Sequence, residues 1–314
     1  MEISAIIPTY KRSKLLRETI ESIWAQTRLP DEILIGDDSP DDITERMVKD
    51  ELLPLSKVPI RFFHHSPSLR EARNVDALYT AARGTHILHL HDDDPILPRC
   101  IELLAGAIEK FPQAVAAFGL QRVITEAGEY LAGDSDAVNC AYFRTSDRAG
   151  LVDGFFACAA SMFPNNGFLV EAKAAREVGY NDHGKAGSAV DYYFGLRLGQ
   201  LRRPVVFINE HTATVRMTLI AESRTATADN SYRRMTHLLA SLEPGDLTPD
   251  LLASVDHHMF YAIANAAMVG RPGAAWRWFF SPYFRGQILS VKGLKALRRL
   301  LIASAKHLMS PKNA

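Results

Sequence analysis

"HILHLHDDDPILP", residues 86–98, runs a stretch of β-formers straight into three consecutive aspartates. Three carboxylates gathered where a buried strand ends repel one another unless a cation sits among them. The plain alternative is a solvated turn whose carboxylates cap the free N–H groups of the helix that follows. The flanking sequence decides which of these readings the stretch supports.

Outward from this strand the first half of the chain alternates. "ISAIIP" reads as a buried strand, and "KLLRETIESIWAQT" has helical spacing at Leu15, Ile20, Ile23 and Trp24. "EILIGDD" is a strand, "DDITERMVKDEL" a helix, "PIRFFHH" a strand, and "SLREARNVDALYTAA" a helix that Ser68 is placed to cap. After the aspartates come a helix, "RCIELLAGAIEKF", and a strand, "QAVAAFGLQRVI". This order predicts an α/β fold, a mostly parallel sheet with helices on both faces. Ligands of such sheets bind beyond the carboxyl ends of the strands. Those ends are "IIPTY", "IGDDSPDD" and "HLHDDDP", and two of them are rich in Asp.

Beyond residue 120 the pattern loosens. "TEAGEYLAGDSDA" reads as turn and loop, "SAVDYYFGLRLGQ" as a helix, and "RPVVFINEHTATVRM" as one or two strands. From Ser223 onward nearly everything is helical, broken at "EPGD", "GRPG" and "SPYFRG". The domains expected are residues 1–222, holding the sheet, and 223–314, a helical C-terminal extension.

The formal net charge is zero, yet residues 257–314 hold nine Lys or Arg and no acid. The remaining 256 residues are therefore acidic by the same amount, which separates the chain into an acidic body and a basic tail. Cys100, Cys140 and Cys158 are odd in number and have no CxxC spacing, which argues against a disulfide framework or a zinc site and fits a reducing compartment. Without a signal-peptide pattern at the start or an apolar run of about 20 residues, the expected location is the cytoplasm. Neither GxGxxG nor GxxxxGK[ST] occurs, so dinucleotide and P-loop readings fail.

Four motifs in order resemble the family 2 glycosyltransferases, which have the GT-A fold. They are "SAIIPTYKR" at 4–12, "DEILIGDDSPDD" at 31–42, "REARNVDALYTAARGTHILHLHDDDPILP" at 70–98, and "VEAKAAREVGYNDHGKAGSAVDYYFGLRLG" at 170–199. The resemblance implies an inverting transferase that moves a sugar from a UDP- or dTDP-sugar to a hydroxyl acceptor, with Mn²⁺ or Mg²⁺ as cofactor. It places Pro8, Thr9 and Tyr10 around the nucleotide base, Asp38 on the pyrimidine N3–H, and Arg73, with Asn74 beside it, near base and phosphates. Asp92 falls near the ribose and Asp93 on the metal, with Asp94 as an adjacent supporter. His91 stands where the family's usual DxD begins with Asp, and imidazole can also ligate Mn²⁺.

Asp191 matches the catalytic base, with Val190 where a second acid is usual. Arg216 fits an arginine expected near phosphate or metal, Thr218 stands where a His often follows, and His211 is close enough in sequence to substitute for it as a ligand. "NNG" at 165–167 is a candidate acceptor-pocket lining. Two other classes stay open. A sugar nucleotidylyltransferase would want a glycine-rich loop where "PTYKRS" has none. A non-catalytic nucleotide-sugar or glycan-binding protein of the same descent would tolerate His91, Val190 and Thr218.

In the tail, Leu294, Leu297, Leu301 and Leu308 share one helical face, while Lys292, Lys295, Arg299 and Lys306 share the opposite one. Trp276, Trp278, Phe279, Phe280, Tyr283 and Phe284 cluster just before. This reads either as an interfacial helix touching the inner face of a membrane through 276–308 or as a cap packing its leucines on the protein. Membrane contact would suit a lipid-linked glycan acceptor. No nucleic-acid motif accompanies the basic stripe, so no nucleic-acid partner is expected.

Overall fold

The computed structural model describes residues 1–181, 183–217 and 224–309. Its strands are β1 (Ile3–Thr9), β2 (Glu32–Asp37), β3 (Ile60–His64), β4 (His86–His89), β5 (Ala116–Ile124), β6 (Gly150–Val152), β7 (Phe168–Glu171) and β8 (Val205–Arg216). They form one sheet in the order β3-β2-β1-β4-β7-β5-β8-β6. β1 pairs in parallel with β2 and β4, β2 with β3, and β5 with β8. β7 runs antiparallel between β4 and β5, and β6 antiparallel to β8. The sheet is mostly parallel, as the alternation predicts.

The helices are α1 (Ser13–Trp24), α2 (Ile43–Arg46), α3 (Glu71–Ala81), α4 (Cys100–Lys110), α5 (Ala132–Ala141), α6 (Gly154–Ala159), α7 (Ala172–Val178), α8 (Val190–Gln200), α9 (Arg224–Ser241), α10 (Pro249–Met268), α11 (Pro272–Phe279) and α12 (Val291–Met309). Leu16, Ile20 and Ile23 of α1 and Leu104 and Ile108 of α4 share a core with Ile3, Ala5 and Ile7 of β1. Leu78 of α3 approaches the other face, 3.2 Å from where Gly36 would carry a Cβ. Helices thus cover both faces, and every residue of β2 is buried. Each fully buried Ile or Leu contributes roughly 1.5–3 kcal/mol.

Several local expectations are corrected. Ser68 does not cap α3; its hydroxyl donates to Asp38 instead. The helix read over 41–52 is a single α turn followed by a π-helix, Met47–Leu52. Residues read as loop near 132 form α5. The stretch read as one or two strands is one, β8, Val205–Arg216, as one of those readings has it, with register shifts opposite Gly119–Gln121.

The chain divides into two compact units, Met1–Asp182 with Phe194–Leu219, and His183–Tyr193 with Ile220–Ala314. Residues 183–193, expected with the sheet, belong to the helical unit. The expected boundary at 222/223 lies outside the described residues, as does Thr218. Within the helical unit, Thr248 caps α10 by accepting the Leu251 N–H at 3.2 Å. Trp278, Phe279 and Phe284 are buried. Half of the six-residue aromatic cluster is therefore core; Trp276 and Tyr283 are half-buried, and Phe280 is exposed and stacks on Trp276 at 6.0 Å.

α12 overturns one of its two readings, the cap that packs its leucines on the protein. Its buried positions are Gly293, Ala296 and Leu300, whereas Leu294 and Leu301 are exposed and Leu297 is half-buried. Gly293 lies against the segment just before α12, where a Cβ would stand 2.0 Å from the Gln287 carbonyl oxygen. The side chains of Lys306 and Leu308 lie outside the described residues.

Candidate active site

Because β1, β2, β3 and β4 are parallel, their carboxyl ends open on one edge of the sheet. A cleft of about 990 Å³ lies there, made entirely by the first unit. Pro8 and Thr9 line it at the end of β1 and Tyr10 and Arg12 just past it, with Asp38, Ser39 and Pro40 after β2. His65 to Ser68 and Arg70 line it after β3, with Glu71 and Asn74 from α3, and His91, Asp92 and Asp93 after β4. Pro8, Thr9, Tyr10, Asp38, Asp92, Asp93 and His91 are thus brought together.

Arg73 is not with them. It is exposed on α3, and Arg70 at the start of that helix lines the cleft instead. Helical periodicity is the reason: 70, 71 and 74 share a side of α3 that residue 73 does not join.

The acidic end is held in detail. Asp92 is buried; its carboxylate accepts from Thr9 Oγ1 at 2.7 Å and from Arg12 Nη1 at 3.1 Å. The same Nη1 donates to Asp93 at 2.8 Å, so one positive nitrogen bridges two carboxylates. Burial pushes the carboxyls of Asp92 and Asp93 upward, and Arg12 pulls each back in part. Arg12 itself is raised, because its attraction to Asp92 and Asp93 outweighs the opposing effect of burial.

Asp94 is buried below this pair. It accepts from Asn166 Nδ2 at 2.5 Å and from the Arg216 backbone N–H at 2.7 Å. Asn166, expected in an acceptor pocket, orients Asp94 instead. Arg216 also serves the scaffold: it donates through Nε to the Asp93 carbonyl, through Nη1 to the Glu126 carbonyl, and through Nη2 to Glu18.

A divalent cation fits this loop. Ligand atoms of His91, Asp93 and Asp94 lie within 4.8 Å of one another. One imidazole and two carboxylates leave the rest of an octahedral shell to water and phosphate oxygens, as Mg²⁺ or Mn²⁺ requires. Arg12 holds one oxygen of Asp93 and so competes with a cation for that carboxylate. His211 is not part of this group. It stands on β8 with its ring 6.4 Å from Tyr130, held below its ordinary pKa by burial and by Arg122.

At the other end, Asp38 is buried, and its oxygens accept from Ser68 Oγ (2.7 Å), the Leu69 N–H (3.0 Å) and the Arg70 N–H (2.5 Å). A carboxylate has about four lone-pair sites, so roughly one is left facing the cleft. Tyr10 is 53% exposed, its ring open to the same space. Lys11 and Arg70, both in the left-handed backbone region (φ 56° and 63°), flank it. They are pinned by the Ser39 hydroxyl and the Asp38 carboxylate. Asn74 is committed to structure, its Nδ2 on the Gly36 carbonyl at 2.7 Å and its Oδ1 on His65 at 3.2 Å. A Cβ at Gly36 would stand 2.0 Å from that Oδ1.

Asp191, the expected base, is half-buried in the first turn of α8 and belongs to the second unit. Sequence reasoning passed over Arg12, Arg70 and His65. Arg12 was visible inside "PTYKR" as the one basic residue two positions beyond the ring that lines the same cleft.

The Glycosyl transferase family 2 profile matches residues 4–168, slightly more than half the chain, and the chain belongs to that family. An uncharacterized protein of Mycobacterium tuberculosis, MT1568, is 30% identical over 121 residues, 38% of this chain and 36% of that relative's length. Among solved structures, S. aureus TarS superimposes with a TM-score of 0.58 at 15% identity over 100% of this chain and 50% of that one. TarS 1–349 in complex with UDP-GlcNAc gives 0.59 at 14%, covering 97% and 82%. The mannosyltransferase PcManGT from Pyrobaculum calidifontis, in complex with GDP-Man and Mn²⁺, gives 0.57 at 15%, covering 99% and 88%. These likenesses establish the GT-A fold.

Proposed function

We propose that the chain is an inverting, metal-dependent glycosyltransferase that moves a sugar from a UDP- or dTDP-sugar to a hydroxyl acceptor. Its setting would be cell-surface polysaccharide or glycolipid assembly. The observation that carries this reading is one cleft with two unlike ends: Asp92 and Asp93 bridged by Arg12, and Tyr10 beside the incompletely satisfied Asp38. The first end suits a diphosphate with its cation, and the second suits a planar base with an N–H donor.

In this reading the base stacks on Tyr10 and offers its N–H to Asp38, with Pro8 and Thr9 around it and Asp92 toward the ribose. Mn²⁺ or Mg²⁺, held by Asp93 with His91 and Asp94, would neutralise the leaving diphosphate. Arg12 turns from the carboxylates to the phosphate oxygens, which its planar fork matches. Asp191 takes the proton of the attacking hydroxyl. The new oxygen–carbon bond forms at the anomeric carbon as its bond to phosphate breaks, and the diphosphate leaves with the bonding pair. The sheet-bearing unit is the transferase domain. The helical unit serves a glycan or lipid-linked acceptor at the inner face of the membrane, where the chain works as a peripheral cytoplasmic protein.

The test is incubation with Mn²⁺ and a panel of UDP-, dTDP- and GDP-sugars, reading nucleoside diphosphate release with and without glycan acceptors. GDP-sugars belong in the panel because guanine N1–H is also a donor that Asp38 can accept. Release with one donor class is expected, and Asp93→Asn should lower it about a hundredfold or more. Transfer undiminished by Asp93→Asn overturns the reading.

A further inference from the structure

Residues 257–314 contain nine Lys or Arg and no Asp or Glu, so a strongly positive field surrounds the last helices of the second unit. α12 packs through Gly293, Ala296 and Leu300. At 100° per residue its opposite side carries Val291, Leu294, Leu301 and Ile302, which are 70, 57, 52 and 48% exposed. Four large apolar side chains left in water along one helix mark a surface that something covers.

The charges on that side favour one occupant. Lys295 and Arg298 stand among the four apolar residues, exposed and without an ion-pair partner among the described residues. Lys292, by contrast, is neutralised by Asp256 at 2.6 Å, and Arg299 lies over the Phe260 ring at 5.2 Å. A groove of about 410 Å³ runs alongside, lined by His257, Phe260 and Tyr261 of α10 and by Val291, Lys292 and Lys295. Tyr261 is 49% exposed there, an aromatic ring with a polar tip in the groove that Lys295 also lines. No helix among the described residues is long and apolar enough to cross a membrane, so a bilayer would be met along its surface.

We infer that α12 docks this outward face on a bilayer containing anionic lipids. Val291, Leu294, Leu301 and Ile302 sink to the base of the headgroups, and Lys295 and Arg298 meet the lipid phosphates. The inference rests on the membrane-side role proposed for the helical unit and is independent of the chemistry in the cleft.

The test is sedimentation of the full chain with vesicles of phosphatidylcholine alone or mixed with phosphatidylglycerol. Binding is expected to the mixed vesicles only and to weaken with added salt. Leu294→Asp with Leu301→Asp, and separately Lys295→Glu with Arg298→Glu, should each lower the bound fraction about tenfold or more, with thermal unfolding and UDP affinity unchanged. If the aspartates unfold the protein, Leu294→Ser with Leu301→Ser takes their place.

Absence of binding to the mixed vesicles, or equal binding by all variants, overturns the inference. So does a leucine pair that only converts a dimer to a monomer, since a second copy then covers the face. Inorganic phosphate that abolishes binding at constant ionic strength also overturns it, by placing a small anion in the groove. Vesicle binding without any UDP binding leaves this surface standing and removes the transferase reading instead.

Discussion

The carboxylates past β4 and the leucines of α12 are handled in opposite ways. In the first unit, charge is hidden and partnered: Asp92 and Asp94 are buried, and Thr9, Arg12, Asn166 and the Arg216 backbone supply their donors. In the helical unit, apolar bulk is left outside while Gly293, Ala296 and Leu300 make the contact. Buried charge with donors arranged around it is prepared for a small ionic ligand; exposed apolar bulk flanked by loose cations is prepared for a surface.

The largest effect that would break this contrast is expected at Asp191. Asp191→Asn should lower the transfer rate about a hundred- to ten-thousandfold while leaving UDP affinity intact, read by steady-state kinetics beside calorimetry. A variant with wild-type rate would leave the chemistry to some other acceptor-side group. Next is the difference between the two faces of α12. Leu300→Ala should destabilise the helical unit by about 2–5 kcal/mol, whereas Leu294→Ala should change it by less than about 0.5 kcal/mol. Denaturant unfolding measures both, and equal losses would mean the helix packs through its leucine stripe after all.

Arg12 sharpens the comparison at the acidic end. Its side chain is 46% exposed, so its ion pairs with Asp92 and Asp93 are worth about 1 kcal/mol or less. Arg12→Met should therefore tighten Mn²⁺ binding without nucleotide by up to about fivefold and weaken UDP binding. Calorimetry that finds Mn²⁺ affinity unchanged would show that Arg12 does not compete for that loop.

The smallest effect concerns His89, which is fully buried on β4. It bonds Tyr79 at 2.9 Å and stacks on Phe168 at 5.0 Å. Burial holds its imidazole well below its ordinary pKa. Unfolded, it titrates near about 6.5, so below that pH the unfolded chain binds more protons than the folded one. The stability it supports is complete above about 6.5 and is lost as the pH falls. His89→Phe should lose less melting temperature than wild type on going from about pH 7 to about pH 5. His86 and His258, also depressed by burial, act in both proteins and cancel. Equal slopes would remove His89 as a source of acid sensitivity.

The parallel half of the fold was legible because β1, β2 and β4 are buried on both faces, and continuous apolar runs that end in polar turns have few other readings. The position of the acidic loop followed from topology alone. α5 was not legible, for a physical reason: it meets the sheet with polar groups, where apolar periodicity has nothing to report. Asn139 bonds both the N–H and the carbonyl of Gln121, and the Ser135 hydroxyl accepts the Val123 N–H. Those bonds satisfy β5 backbone beside the register shifts at Gly119–Gln121. For α12 only one of the two readings, the cap that packs its leucines, is overturned. Its periodicity declared an amphipathic helix, but which face would pack depended on small residues that a hydrophobic stripe outweighs. Arg73 was named by motif likeness alone, and only the start of α3 shows that Arg70 meets the cleft.

Asp38 ties the lining of the cleft to its architecture. The same carboxylate that borders the cleft also fastens Ser68, Leu69 and Arg70, which form its rim. A lineage altering residue 38 to accept a different ligand would at once loosen those three positions. Change at 38 and change at 68–70 should therefore arise as a correlated set, and this corner of the molecule should diversify more slowly than its surface position suggests.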